Sequence, residues 1–370
     1  MKIVKAAVLK DFNQDFEIEE LEQAEPEANE VRVKLVSCGI CHTENAYRTK
    51  LWGTPLKMPI VLGHEGAGVV EAVGPGVTKF KVGDKVCMTT PYCGECDACK
   101  NGMTWYCERM VELQIGGFNY YGKTPLNLKG KPVHMMFNQS ALQESTVLNI
   151  NNCVKLPDDF NLKIAGPLGC GLRTGAGAVY NCLKPRVCEW VAIFGTGAVG
   201  HAAMWMAKAM GAKTIVVDIN RKRLDEALTK GADYAVCTEG MTDFHEIAEE
   251  IRKVADGKGV HHVVEGTGAP ICHKAAMLSL RFGGHCAQVS NINAMDFERY
   301  TKDCNDGREI TFVRMGNVDG EIIIPLMADM YKRGMFPYDE LLTFYKFEDV
   351  NQALKDHHDG KVFKPVILFD

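Results

Sequence analysis

The sequence contains no apolar run approaching the roughly 18 residues that a membrane-spanning helix needs. Its first residues, MKIVKAAVLKDF, have neither the apolar core nor the small-residue cleavage site of a secretory leader. It also lacks a long basic run, and its net charge is only −5, which argues against nucleic acid or a membrane as partner. No internal repeat or low-complexity segment interrupts it. These absences leave a soluble chain, expected in the cytoplasm. At 370 residues it exceeds what one hydrophobic core ordinarily covers, so two domains are expected. Cysteine, by contrast, is plentiful. Fifteen of them in a long chain without a leader point to metal rather than disulfides.

Their clustering is the clearest signal. Cys93, Cys96, Cys99 and Cys107 are separated by two, two and seven residues. Four thiolates so spaced can wrap a tetrahedral Zn²⁺ at about 2.3 Å each and leave no position for substrate. An iron–sulfur cluster is the alternative, but the run lacks a Cys-Pro ending and zinc is favoured. A closed site stabilises a lobe and does no chemistry. Elsewhere, Cys41 is followed two positions on by Thr43, placing a thiolate and a hydroxyl at one turn. His64 and Glu65 stand in a glycine-dense frame and offer an imidazole ligand beside a carboxylate. Cys170 falls in a small-residue helix expected over Gly166–Gly177, with Thr174 one turn later on the same side. A lone cysteine or histidine is more often core, and Cys38 reads that way; His64 beside Glu65 after a candidate thiolate does not.

Further on, Val191–Phe194 reads as a strand running into Gly195-Thr196-Gly197-Ala198-Val199-Gly200 and then a helix. Gly195 permits a sharp turn, Gly197 close approach of a pyrophosphate, and Gly200 tight packing of helix on strand. A second strand, Thr214–Asp218, ends in a carboxylate 18 positions after Gly200, the distance at which NAD ribose hydroxyls are bound. The charge of Asp218 would repel a 2′-phosphate, and Arg221, Lys222 and Arg223 lie near enough to soften that. Strands are predicted at 191–194, 214–218, 234–236, 260–265, 284–289 and 309–313, with helices between, which makes a doubly wound parallel sheet. The N-terminal alternation of Val31, Val33 and Leu35 instead suggests antiparallel β structure, and residues 108–150 read as loop-rich β. The last strand, Lys364–Phe369, is expected to return to that first domain. The boundaries are thus 1–172 with 316–370 for one domain, and 173–315 for an inserted dinucleotide-binding domain.

Together these motifs resemble the zinc-dependent medium-chain dehydrogenase/reductase family along essentially the whole chain. Within it, Pro167–Gly177 and Arg333–Phe344 are similar to the aryl- or benzyl-alcohol dehydrogenase branch. The resemblance implies an α/β protein with a GroES-like β-rich catalytic domain and a Rossmann-type insertion, two Zn²⁺ per chain, NAD, and a homodimer or homotetramer. It implies a catalytic zinc on Cys41, His64 and Cys170 with Glu65 close behind, acting as a Lewis acid on the alcohol. Thr43 would take the alcohol proton, and Thr174 would help position the nicotinamide. Gly195, Gly197, Val199, Gly200, Asp218 and Arg223 would contact the cofactor. His42 and Lys364 occupy positions where many relatives place an arginine against the pyrophosphate. Trp52 and Thr89 would line the substrate pocket, favouring an aryl or allylic primary alcohol. The chain departs from the pattern at Ala46, where relatives often continue the proton relay with histidine, and at Glu44, usually aspartate. A dehydrogenase acting on S-(hydroxymethyl)glutathione or aliphatic alcohols is one alternative. A non-catalytic NAD-binding sensor is another, although such proteins commonly lose the ligands kept here.

Overall fold

Val31, Val33 and Leu35 are fully buried along the strand Glu30–Gly39, the spacing by which a strand sets alternate side chains into a core. A computed structural model describes residues 1–51, 53, 56–291 and 306–370 of the chain. The chain divides into two units: Met1–Cys170 with Asp319–Asp329 and Asp339–Asp370, and Gly171–Val318 with Met330–Tyr338.

The first unit holds two β systems. A closed barrel runs through Lys2–Leu9, Glu17–Gln23, Leu126–Leu128, Lys131–Met135 and Ile60–Val61. A seven-stranded sheet is built around Glu30–Gly39, which pairs with Gly66–Val73, Ser145–Asn149 and, antiparallel, the last strand Lys364–Leu368. That last pairing sets Val366 opposite Gly39 and Ile367 opposite Cys38, so the C-terminal strand lies beside the turn that carries Cys41. Leu9, Leu21, Leu35, Ile60, Leu62 and Leu126 are each less than 2% exposed and form the core between these layers. Burial of each such side chain favours folding by about 1.5–3 kcal/mol before chain entropy is counted.

The second unit is a six-stranded parallel sheet in the order Tyr234–Cys237, Lys213–Asp218, Trp190–Phe194, Val260–Glu265, Leu280–Gln288, Glu309–Phe312. Numbered along the chain, this is 3-2-1-4-5-6, so the connections reverse direction between Trp190–Phe194 and Val260–Glu265. Open sheets of this kind bind ligands at that reversal, beyond the carboxyl ends of the strands.

Local chemistry explains where elements differ from expectation. Residues 110–115 form a short helix inside a stretch read as loop-rich β. The helix that follows the strand Tyr234–Cys237 starts at Phe244, because the Asp243 side chain accepts a hydrogen bond from His245 N and caps it there. The small-residue helix is broken at Cys170, whose φ of −136° and ψ of −87° separate a 3₁₀ turn, Gly166–Gly169, from the helix Gly171–Gly177. The same-face argument linking Cys170 to Thr174 therefore does not apply. Among the described residues no helix is long and apolar enough to cross a membrane.

Burial leaves a mark on stability. His201 and His262 are each shifted below the ordinary histidine value, burial being the largest cause. The unfolded chain then takes up protons first, so this stability is complete above about pH 6.5 and is lost as pH falls through that value. The melting temperature is expected to fall between pH 7 and 5.5, and His201→Gln to flatten that slope. Melting curves of the variant that run parallel to the parent's across this range would refute the assignment to His201.

Candidate active site

Cys41 sits at the N-cap of the short helix His42–Arg48. Its backbone N–H donates to Glu44 Oε2 at 2.9 Å, closing a capping box in which a cysteine stands at the cap. The other oxygen of Glu44, which is fully buried, accepts from His64 Nδ1. With Nδ1 turned to Glu44, Nε2 is the ring nitrogen that faces the sulfurs, and it lies 3.1 Å from Cys170 Sγ. The residue before His64 must be glycine: Gly63 has a φ of +99°, and a Cβ there would come within 3 Å of the backbone of Ala141 and Leu142, while the Phe137 ring packs on the imidazole at 4.8 Å. The turn that presents Cys170 also needs glycine: a Cβ on Gly166 would meet Glu65 O at 2.3 Å.

The result is that one donor atom each from Cys41, His64, Glu65 and Cys170 lies within 4.8 Å of all the others. The segments that supply them are far apart in sequence, and the group is buried or half-buried. Thr43 Oγ1 lies 3.6 Å from Cys41 Sγ. The Cys41 thiol is held well below its ordinary value, first by a hydrogen bond from Cys170 and then, against burial, by the charge of Lys364. Cys170 is pushed up by the same sulfur contact and by burial. Burial likewise raises the Glu65 carboxyl to about 7. Glu65 Oε1 accepts from Lys364 Nζ at 2.7 Å, while its Oε2 is buried with no partner. Two sulfurs, an imidazole nitrogen and an unsatisfied carboxylate oxygen are the donor set of zinc, and their spacing suits bonds of about 2.0–2.3 Å to a shared ion.

Lys364 thus lies elsewhere in the chemistry than the sequence suggested. It is 3% exposed, and its ammonium is committed to Glu65 and to Ile40 O at 3.2 Å, so the cation expected at the cofactor phosphates here neutralises a carboxylate of the metal cluster. His42 is exposed at the first residue of its helix. Ala46 is fully buried, and Thr89 is 3% exposed with its carbonyl taken by Gln139 and Asn152 side chains. Trp52 lies outside the described residues.

The second cysteine group is also assembled. One sulfur each from Cys93, Cys96, Cys99 and Cys107 lies within 4.8 Å of the others. Backbone N–H groups point at them: Cys93 N at Cys107 Sγ (3.2 Å), Cys96 N at Cys93 Sγ (3.3 Å), and Glu108 N at Cys96 Sγ (3.5 Å). The last of these is the largest cause of a Cys96 thiol lowered to about 7. Such donors stabilise thiolates, the form a metal binds.

In the second unit the glycine turn has the form its spacing foretold. Gly195 has a φ of +92°, a Cβ on Gly200 would lie 1.9 Å from Gly195 O, and a Cβ on Gly197 would meet nothing within 4 Å. The turn is therefore closed where helix meets strand and open where a ligand would approach. Val199 O lies 2.0 Å from where a Gly175 Cβ would be, so the helices Gly171–Gly177 and Ala198–Ala209 touch through backbone, and Thr174 is half-buried on the former. Asp218 Oδ2 accepts from Thr196 N at 2.8 Å and Thr196 Oγ1 at 2.6 Å, and its Oδ1 accepts from Asn220 N at 2.9 Å. Arg223 is half-buried on the helix Arg221–Thr229, its N–H capped by Asn220.

Glu44 as the group that orients His64, and Lys364 as the partner of Glu65, were not read from the sequence. The first had a local signal, a carboxylate three residues after the cap. The second had none, because 299 positions separate the pair. Glu44→Gln keeps an acceptor for His64 but removes the charge, and is expected to lower kcat/KM roughly tenfold; Glu44→Ala should lower it nearer to 100-fold and speed zinc loss to a chelator. Unchanged kinetics and metal retention in both would show that Glu44 only caps the helix.

A β-rich unit with a cysteine–histidine metal cluster and a four-cysteine lobe, in one chain with a 3-2-1-4-5-6 dinucleotide fold, defines a zinc-binding dehydrogenase. Residues 27–158 match the alcohol dehydrogenase GroES-like domain and residues 198–327 the zinc-binding dehydrogenase domain. The chain is 35% identical to geraniol dehydrogenase of Castellaniella defragrans, over 99% of this chain and 97% of that one. Among solved structures, benzyl alcohol dehydrogenase of Acinetobacter calcoaceticus superposes with a TM-score of 0.90 at 34% identity, covering all of both chains. An alcohol dehydrogenase zinc-binding domain protein from Burkholderia ambifaria does so with a TM-score of 0.91 at 34% identity, over 100% of this chain and 99% of that one. The chain belongs to the zinc-dependent alcohol dehydrogenases of the medium-chain dehydrogenase/reductase family, a membership that implies zinc and NAD(P) as cofactors.

Proposed function

We propose that the chain catalyses the reversible oxidation of an aryl or allylic primary alcohol to its aldehyde, with NAD as hydride acceptor and two zinc ions per chain. The observation that carries this is the convergence of Cys41, His64 and Cys170, with Glu65, from segments far apart in sequence. Zinc held there supplies a Lewis acid that lowers the pKa of an alcohol. The chain's own residues do the rest. Glu44 keeps the His64 proton on Nδ1, Lys364 balances the charge of Glu65, and Thr43 Oγ1, 3.6 Å from Cys41 Sγ, would accept the alcohol proton. The four-cysteine lobe binds the second zinc and is structural. The unit containing Gly171–Val318 binds NAD.

Preference for NAD over NADP is supported by Asp218, whose two oxygens are oriented by Thr196 and Asn220 toward one fixed setting, where the charge repels a 2′-phosphate. The substrate class is supported by the names of two relatives, since geraniol and benzyl alcohol both carry the hydroxyl on a carbon next to an unsaturated one. Family resemblance is what supports a homodimer or homotetramer, which sedimentation would distinguish.

The test is a panel of benzyl, allylic and short aliphatic alcohols, with NAD and NADP, followed by absorbance of the reduced cofactor. Benzyl and allylic alcohols are expected to exceed ethanol in kcat/KM by roughly 100-fold, and NAD to exceed NADP similarly. Turnover of formaldehyde only when glutathione is added would replace this substrate class with the glutathione adduct.

A further inference from the structure

Away from the metal cluster, the second unit buries a carboxylate among its described residues. Glu265, the last residue of the strand Val260–Glu265, is completely inaccessible. It accepts from Thr267 N at 2.8 Å, from Thr267 Oγ1, from Gly268 N at 3.2 Å, and from Gln288 Nε2 and Ser290 Oγ at 2.5 Å each. All of these donors are neutral. A bare carboxylate in an interior is costly, and the usual remedy is a cation. Among the described residues no cation is paired with it, and hydroxyls, an amide and two backbone N–H groups solvate the carboxylate instead.

Its place in the sheet gives that charge a use. Glu265 ends the strand on one side of the reversal, and Gly195 follows the strand on the other: Gly266 N donates to Phe194 O at 3.0 Å, and a Cβ on Gly195 would sit 3.3 Å from Thr267 Cγ2. Val289 N donates to the Glu265 carbonyl at 2.9 Å, so the ends of both neighbouring strands are tied to it. A dinucleotide lies across such a reversal with one mononucleotide on each half of the sheet. Asp218, on the first half, takes the adenosine ribose. The nicotinamide must then lie over the second half, where Glu265 is.

We propose that Glu265 is a positioning residue that also biases the bound cofactor toward its oxidised form. The nicotinamide ring carries a positive charge in NAD⁺ and none in NADH, so a fixed, uncancelled negative charge under that half of the site favours NAD⁺. The hydrogen bonds to Thr267, Gly268 and Ser290 set the loops; the charge sets the preference. This inference rests on the reading that the second unit binds NAD at the strand-order reversal.

Measuring Kd for NAD⁺ and for NADH on the intact zinc-loaded protein, by titration calorimetry and NADH fluorescence, tests it. Glu265→Gln is expected to raise the ratio Kd(NAD⁺)/Kd(NADH) by roughly three- to tenfold. Glu265→Asp, which keeps the charge, should leave the ratio within about twofold of the parent even if both affinities fall. A merely structural role would weaken both ligands alike and overturn the proposal. Gln288→Lys places an ammonium against the carboxylate by a different route, and should raise the ratio in the same direction should Glu265→Gln not fold; an unchanged ratio there also overturns it. If the parent protein binds neither dinucleotide, it is the underlying cofactor reading that fails.

Discussion

Cys170→Ala is expected to lower kcat/KM for alcohol oxidation by at least about 10³-fold and zinc content from two ions per chain to one, with little change in melting temperature. Cys170 is half-buried at a break in the helical run, with non-helical backbone angles on both counts. Alanine adopts such angles as readily as cysteine, and the glycines around it carry the close contacts. The loss should therefore be chemical. With Cys170 gone, the ion would keep one thiolate and one imidazole, too few to hold it against dilution. Glu65 Oε2 would remain beside the ion, but a carboxylate whose other oxygen is already shared with Lys364 is a weaker zinc donor than the thiolate lost. Metal analysis by emission spectroscopy, steady-state kinetics and a thermal melt on the same preparation check this. Activity within tenfold of the parent, or two zincs still present, would remove Cys170 from the catalytic set.

The parts of this arrangement visible in the sequence were those whose physical cause is local. A four-cysteine wrap, a glycine turn between strand and helix, and a carboxylate closing the next strand each need their residue types at short spacing, and each has the local form that spacing implied. The parallel sheet was legible for a similar reason, since its strands are buried on both faces and read as unbroken apolar runs, as in Val191–Phe194. Other features depend on tertiary contact. That Cys170 would break the helix rather than sit within it follows from Gly166 and Gly169 lying against the backbone of Glu65 and Met88, which no propensity anticipates. Lys364 reads as a phosphate-binding cation from the resemblance alone. It is drawn to Glu65 because Lys364–Leu368 pairs with the strand preceding Cys41, which brings the two charges into one dry space. The short helix at residues 110–115 was hidden because two turns carry too little periodicity to compete with neighbouring turn residues.

Cys99→Ala should give the opposite pattern: a lobe that opens and a protein that loses stability before it loses chemistry. Its helix Asp97–Lys100 and 3₁₀ turn Thr104–Tyr106 contain no buried residue, and four residues are far below the length at which a helix sustains itself. Within the segment only Cys107 is fully buried, so hydrophobic packing contributes little to its order. Thr104 Oγ1 donates to Asp319 at 2.8 Å, but one half-buried hydrogen bond offsets only about 0.5–1.5 kcal/mol of ordering entropy. The four sulfurs are what remains, and structural zinc on such a set contributes on the order of 10 kcal/mol at neutral pH. Removing one thiolate should raise amide exchange across residues 93–107 by at least about 100-fold, expose the lobe to proteolysis, and lower the melting temperature by about 10 °C or more, while freshly purified protein keeps measurable turnover. Exchange in the lobe that stays at parental rates after the metal content has fallen to one would mean that the loop holds itself, and the sulfurs would need another explanation.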